Sequence, residues 1–169
     1  MPFCHTTGRN GRQSNQKAQE MVEFAIALPL LLLIMLAIIE FGWLLLYYAV
    51  VTTSAREAAR YGSAAGGLGG TINYYQDCDG IRGAALRMGN LVGMQNNDSD
   101  IQIRYQDASL VDTADTCPPG GTGPQLGQGE RIEVTTTAHF HPIVPFIHLP
   151  TFDIQAVSRR TILVDIQIK

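Results

Sequence analysis

A chain of 169 residues has room for one compact domain with an appendage, and not for two full domains plus a membrane anchor. Its formal net charge of −3, with lysine only at Lys17 and Lys169, excludes the clustered cationic face that phosphate binding needs, so nucleic acid is not an expected partner. The averages of 46% hydrophobic and 16% charged residues hide how unevenly the apolar residues are spread.

Residues 1–17 are polar, rich in Gly, Gln, Asn and Arg, and have almost nothing to bury, which predicts a disordered leader ending at residue 18. From Phe24 to Val51 the chain is apolar, interrupted only by Pro29, Glu40 and Gly42. At about 1.5 Å per residue a helix of this length outreaches the ~30 Å hydrocarbon core that about 20 residues cross. A helix over 19–62 is therefore expected, spanning the membrane at about 24–46 and continuing beyond it. The remaining residues are too few to wrap an element apolar on every side. A secretory signal has an apolar region of only about 7 to 15 residues and a small-residue cleavage site; here Trp43, Tyr47 and Tyr48 follow instead. Arg9, Arg12 and Lys17 precede the span, which keeps the N-terminus cytoplasmic and sends residues 63–169 outside as an extracytoplasmic head. Counting about 20 residues from Phe24 sets Trp43 at the outer interface, with Tyr47 and Tyr48 as further anchors.

Charged groups in the span need an explanation, because a carboxylate in hydrocarbon costs about 2.5 to 3.5 kcal/mol on insertion scales. Glu23 can reach the cytoplasmic edge. Glu40 sits about a turn inside Trp43, which predicts either an outward-reaching or protonated side chain or a contact with a partner subunit. Pro29 removes a backbone hydrogen bond near the start of the span and is a candidate kink.

The segment Lys17-Ala18-Gln19-Glu20-Met21-Val22-Glu23-Phe24 resembles a type IV prepilin processing site, in which a small residue, usually Gly, precedes the cut and a Glu lies five residues after it. On that resemblance Ala18 precedes the cut, standing where Gly is usual, Gln19 becomes the mature N-terminus, and Glu23 is the glutamate. Met21-Val22-Glu23-Phe24-Ala25, Leu28-Pro29-Leu30, Ile39-Glu40-Phe41-Gly42 and Ala55-Arg56-Glu57-Ala58-Ala59-Arg60-Tyr61 together look like the TadE-like family. Its members are minor pilins or pseudopilins of the tight-adherence (Flp, type IVc) pilus. The resemblance implies that Glu23, Pro29 and Glu40 serve intramembrane subunit contacts, with Glu23 compensated by the free α-amino group of a cleaved neighbour. Implied partners are a major Flp-type pilin, a second minor pilin, the prepilin peptidase and an inner-membrane assembly platform. Major pilins of this class are much shorter than this chain, so a minor role is expected.

Beyond the span, Thr52 to Tyr61 is strongly helix-favouring, and Gly62 to Gly70 ends the helix as a candidate hinge. Arg56, Glu57 and Arg60 read as a solvated face. Residues Asp79 to Val92 carry Ile81, Ala84, Ala85, Met88, Leu91 and Val92 on one face of a short helix. Alternation at Ile101–Tyr105, Ile132–Phe140, Phe152–Ala156 and Ile162–Ile166 predicts a three- or four-stranded antiparallel sheet, giving an α+β, pilin-like head. Asp107–Gly129 reads as a surface loop, and the proline-broken apolar stretch 141–150 as a connection against the core or near the membrane.

Of three cysteines, Cys4 lies in the leader, while Cys78 and Cys117 share the oxidising side and are expected to pair. His139, His141 and His148 lack the further ligand and the CxxC or HExxH pattern of a zinc site, so no metal is expected. There is no GxSxG, and the Gly-rich stretches lack the Lys-Ser/Thr of a phosphate loop, so neither catalytic residues nor a cofactor is expected. The alternatives to a pilin-like assembly role are an uncleaved single-pass scaffold of the secretion complex and an anchored adhesin-type binding module.

Overall fold

The computed structural model describes residues 11–69, 72–144 and 151–162, with side chains except at 11–18 and 114. Cys4, His148, Val164 and Ile166 lie outside the described residues. Contacts divide the chain into two compact units, Met1–Gly42 and Trp43–Lys169.

Helix α1 runs from Gly11 to Gly62 and passes Pro29 without a break in its assignment. It begins earlier than the expected Gln19, and residues 11–17 are helical where disorder was expected. Arg12, Gln13, Gln16, Lys17 and Ala18 are good helix formers, and prolonging an existing helix gains one hydrogen bond per residue fixed. After Gly62 the glycine stretch folds into a minimal hairpin, β1 (Gly67–Leu68) with β2 (Ile72–Asn73). Gly66 and Gly69 take φ values of 101° and 61° there, conformations that a side chain would strain.

Helix α2 (Cys78–Gly89) starts where Asp77 Oδ1 accepts the Gly80 N–H at 3.0 Å, and Asp77 Oδ2 accepts the Tyr61 hydroxyl at 2.7 Å. One aspartate thus caps α2 and ties it to the last turn of α1. The buried face carries Cys78, Ile81, Ala84 and Ala85 as periodicity predicts. It differs at its end: Met88 and Leu91 are exposed, while Arg82 is buried.

The head sheet has four antiparallel strands in the order β4-β3-β5-β6: β3 (Ile101–Gln106), β4 (Asp112–Thr116), β5 (Arg131–Phe140) and β6 (Phe152–Thr161). Strand β4 lies inside the segment expected to be loop. Its Asp-Thr-Ala-Asp-Thr sequence has no alternating apolar pattern, so the strand is imposed by its pairing with β3 rather than by propensity. The turn before it is organised by Asp107, whose Oδ1 accepts the N–H groups of Ser109 and Val111 at 2.9 Å each.

Within the second unit, α1 lies along β5 in the opposite direction. Tyr47 meets Phe140 edge-on at 5.2 Å, and the Val51 carbonyl accepts the Thr136 hydroxyl at 3.0 Å. A Cβ on Gly62 would fall 2.5 Å from Ile132 Cδ1. Ser54, Ala55, Ala58 and Ala59 are all buried on this helix, and side chains this small let its backbone approach the sheet. Ile101, Ile103, Ile132 and Val134 fill the layer between, each no more than 2% exposed. Burial of each such side chain stabilises by about 1.5–3 kcal/mol.

Candidate functional site

Within the first unit every residue from Gln19 to Ile39 is exposed, although nearly all after Met21 are apolar. Among the described residues this is the one helix, Gln19–Gly62, long and apolar enough to cross a membrane. Gln19 Nε2 donates to Glu23 Oε1 at 3.3 Å across one exposed turn, so the residue after the expected cut and the expected glutamate are adjacent. Pro29 is also exposed. Glu40 is different, at only 8% exposure the one buried residue between Gln19 and Gly42. At 1.5 Å per residue Glu23 and Glu40 stand roughly 25 Å apart along the helix, so one chain does not bring them together.

The three aromatic residues expected at the outer interface divide. Tyr48 is 60% exposed. Trp43 is half-buried, edge-on to Tyr47 at 5.3 Å. Tyr47 is buried against Phe140 and belongs to the head core, a role invisible in sequence because its partner lies far along the chain.

Cys78 and Cys117 are joined in a disulfide, with Cα atoms 5.2 Å apart and a sequence separation of 39. Beside it lies a residue that sequence reading missed. The Arg82 side chain is 1% exposed; its Nε and Nη2 donate to the Cys117 carbonyl at 3.2 and 2.8 Å, and Nη1 donates to the Asn97 carbonyl at 3.1 Å. Nη2 also pairs with Asp98. An arginine four residues after a cysteine on one helix face is the only sequence signal, and it is a weak one. Tyr105 completes the cluster, its hydroxyl donating to the Tyr75 carbonyl at 2.6 Å and lying 3.0 Å from Cys117 Sγ. Burial pushes the Tyr105 hydroxyl well above the usual tyrosine range. Tyr61 is raised to about 12, by burial first and then by its bond to Asp77.

His139 Nδ1 lies 2.6 Å from Asp153 Oδ1 and its Nε2 lies 3.8 Å from Asp100 Oδ1. The hydrogen bond to Asp153 raises its pKa, and the ring bridges carboxylates on β6 and just before β3. Among the described residues no group of three or more His, Cys, Asp or Glu is arranged to hold a metal ion.

Residues 19–60, within the exposed helix, match the model of the TadE-like protein family. The TadE-like match covers the apolar span and the Ala55–Arg60 motif and stops before Tyr61, the disulfide and the sheet. One apolar N-terminal helix fits a single-pass membrane protein. No curated protein and no solved structure matches the chain.

Proposed function

We propose that this TadE-like protein is a minor pilin or pseudopilin that acts in assembling a tight-adherence (type IVc) pilus, by packing its membrane helix against other pilin-like subunits. It is held in the cytoplasmic membrane with its N-terminus inside and its head outside, and it performs no catalysis. The supporting observation is the uncovered apolar surface of residues 21–39. Each exposed Leu or Ile forgoes about 1.5–3 kcal/mol that burial would return, so this surface requires lipid or other helices around it. Exchange of lipid for helices is the assembly step. Glu23 then leaves the cytoplasmic edge and pairs with the α-amino group of a neighbour cleaved before Gln19. The major Flp-type pilin, a second minor pilin, the prepilin peptidase and the inner-membrane platform are the partners of this cycle. N-terminal sequencing of the membrane form tests it: a start at Gln19, and loss of piliation with Glu23→Ala, are the expected results. A chain that keeps Met1 while supporting pili overturns the cleavage step.

A second reading, an uncleaved scaffold of the secretion complex, draws on two observations. Ala18 replaces the usual Gly, and α1 runs helical through residues 18 and 19, where a peptidase needs an accessible bond. An intact mass that includes residues 1–18 would establish it.

A further inference from the structure

The segment that follows β4 lies along the start of α2 and is tied to it by more than the disulfide. The Cys117 carbonyl accepts Arg82 Nε and Nη2 at 3.2 and 2.8 Å. The Gly120 N–H donates to Asp79 Oδ1 at 2.9 Å, and the Gly123 N–H donates to the Gln76 carbonyl at 2.9 Å. On its other side the Cys117 N–H donates to the Ile103 carbonyl at 3.3 Å. Cys78 is fixed just as independently, as the first residue of a helix that Asp77 caps. A thiol at Cys117 would also have a partner waiting. The Tyr105 hydroxyl gives its proton to the Tyr75 carbonyl, which leaves its oxygen, 3.0 Å from Cys117 Sγ, as an acceptor for S–H. None of these contacts needs the S–S bond.

We infer that Arg82 is a positioning residue for disulfide formation: it seats Cys117 against α2 while both cysteines are still thiols, so that the head folds first and the bond closes afterwards. Arg82 stands four residues after Cys78 on the same buried face of α2, one turn along. A carbonyl held by its guanidinium therefore brings the Cys117 side chain to the turn that carries Cys78. Among the ties to α2, Arg82 alone grips residue 117 itself from a buried site, being 1% exposed where Asp79 is exposed.

Access for an oxidant comes from the sheet edge. The sulfurs are shielded in the folded head, but β4 is a five-residue edge strand with an irregular register against β3, and residues 118–120 beyond it are exposed. Such an edge opens locally at far less cost than the core. With a low-molecular-weight disulfide as oxidant, the Cys117 thiolate attacks one of its sulfurs, the S–S bond of the reagent breaks, and one reagent thiolate leaves and takes up a proton. Return of Cys117 to Arg82 carries the mixed disulfide to Cys78. The Cys78 thiolate attacks the Cys117 sulfur, the protein bond forms, and the second reagent thiolate leaves and is protonated. Two electrons have then passed from the two cysteines to the reagent.

The test uses the full-length chain in nonionic detergent, with Cys4→Ser to leave one pair of thiols, equilibrated with glutathione and glutathione disulfide. Near-ultraviolet circular dichroism reports the fold, and alkylation after acid quenching reports the fraction oxidised. The reduced chain, and a Cys78→Ser, Cys117→Ser double variant, are expected to keep the tertiary signal. Arg82→Met is expected to lower the equilibrium constant for closure by about tenfold or more, as loss of a charged hydrogen bond does to a coupled equilibrium. Phe140→Leu, which loosens the head at its contacts with Tyr47 and Phe152, should leave that constant within about threefold of wild type. Loss of the tertiary signal in both the reduced chain and the double serine variant overturns the inference, because the bond then precedes the fold. An Arg82→Met constant within about threefold of wild type, or a Phe140→Leu constant lowered as far as that of Arg82→Met, overturns it as well, since Arg82 then does not act on residue 117 in particular.

Discussion

Replacing Arg82 by alanine is expected to remove a large part of the stability of the head. The guanidinium donates to the Cys117 and Asn97 carbonyls from a site that is 1% exposed, so truncation leaves buried acceptors without donors. Hydrogen bonds from charged donors contribute about 1.5–3 kcal/mol each, so losing those to the two buried carbonyls should cost about 3–6 kcal/mol. The upper range matters because a domain of this size has about 5–15 kcal/mol in total. Asp98 contributes far less, since its side chain is 64% exposed and the pair is screened by solvent; Asp98→Asn should cost less than about 1 kcal/mol. Arg82→Met keeps much of the volume and should be nearly as damaging as Arg82→Ala, which separates lost hydrogen bonds from lost packing. Urea unfolding of the full-length chain in nonionic detergent, followed by near-ultraviolet circular dichroism, measures the series. With a slope of about 2 kcal/mol per molar urea, Arg82→Ala should lower the midpoint by about 2 M. A midpoint within about 0.5 M of wild type, or recovery by Arg82→Met, refutes the assignment of Arg82 as the donor that holds Cys117 and residue 97 together.

Three further outcomes are open to measurement. Opening the 39-residue separation between Cys78 and Cys117 with the double serine variant should cost about 4 kcal/mol on the chain-entropy account, read by the same unfolding curves with and without reductant. Ser54 is fully buried and its Oγ has no hydrogen-bond partner among the described residues, so Ser54→Ala should stabilise the head by about 1 kcal/mol; a loss instead would reveal a partner for that hydroxyl. For His139 the folded pKa is raised, so its stabilising contribution is complete below the ordinary value near 6.5 and fades as pH climbs through the higher folded value. The thermal midpoint of the wild type should therefore fall slightly between pH 6 and pH 8 relative to His139→Asn, and equal slopes in the two proteins would remove the role given to Asp153.

What the sequence disclosed, and what it withheld, follows the range of the interactions. The end of α1, α2 and strands β3 and β5 are written in local periodicity, and each lies within a few residues of its expected place. Strand β4 escaped because it has no period of its own and exists by pairing with β3. Arg82 escaped because a charged residue on a helix reads as solvated unless the carbonyls awaiting it are known, and those belong to Asn97 and Cys117. Tyr47 was legible as an aromatic residue near the end of the span but not as the neighbour of Phe140. The Cys78–Cys117 pairing was legible because the leader sets Cys4 apart and leaves these two cysteines as the expected pair.

The contact of α1 with β5 has a mechanical consequence. Tyr47 against Phe140, Val51 against Thr136 and Gly62 beside Ile132 are arrayed in series along a helix that is itself one uninterrupted element from Gly11. A pull directed along that helix loads all of these contacts at once in shear, rather than peeling them apart singly. Within the second unit, the sheet is thereby held to residues 47–62 of the helix by contacts that act together.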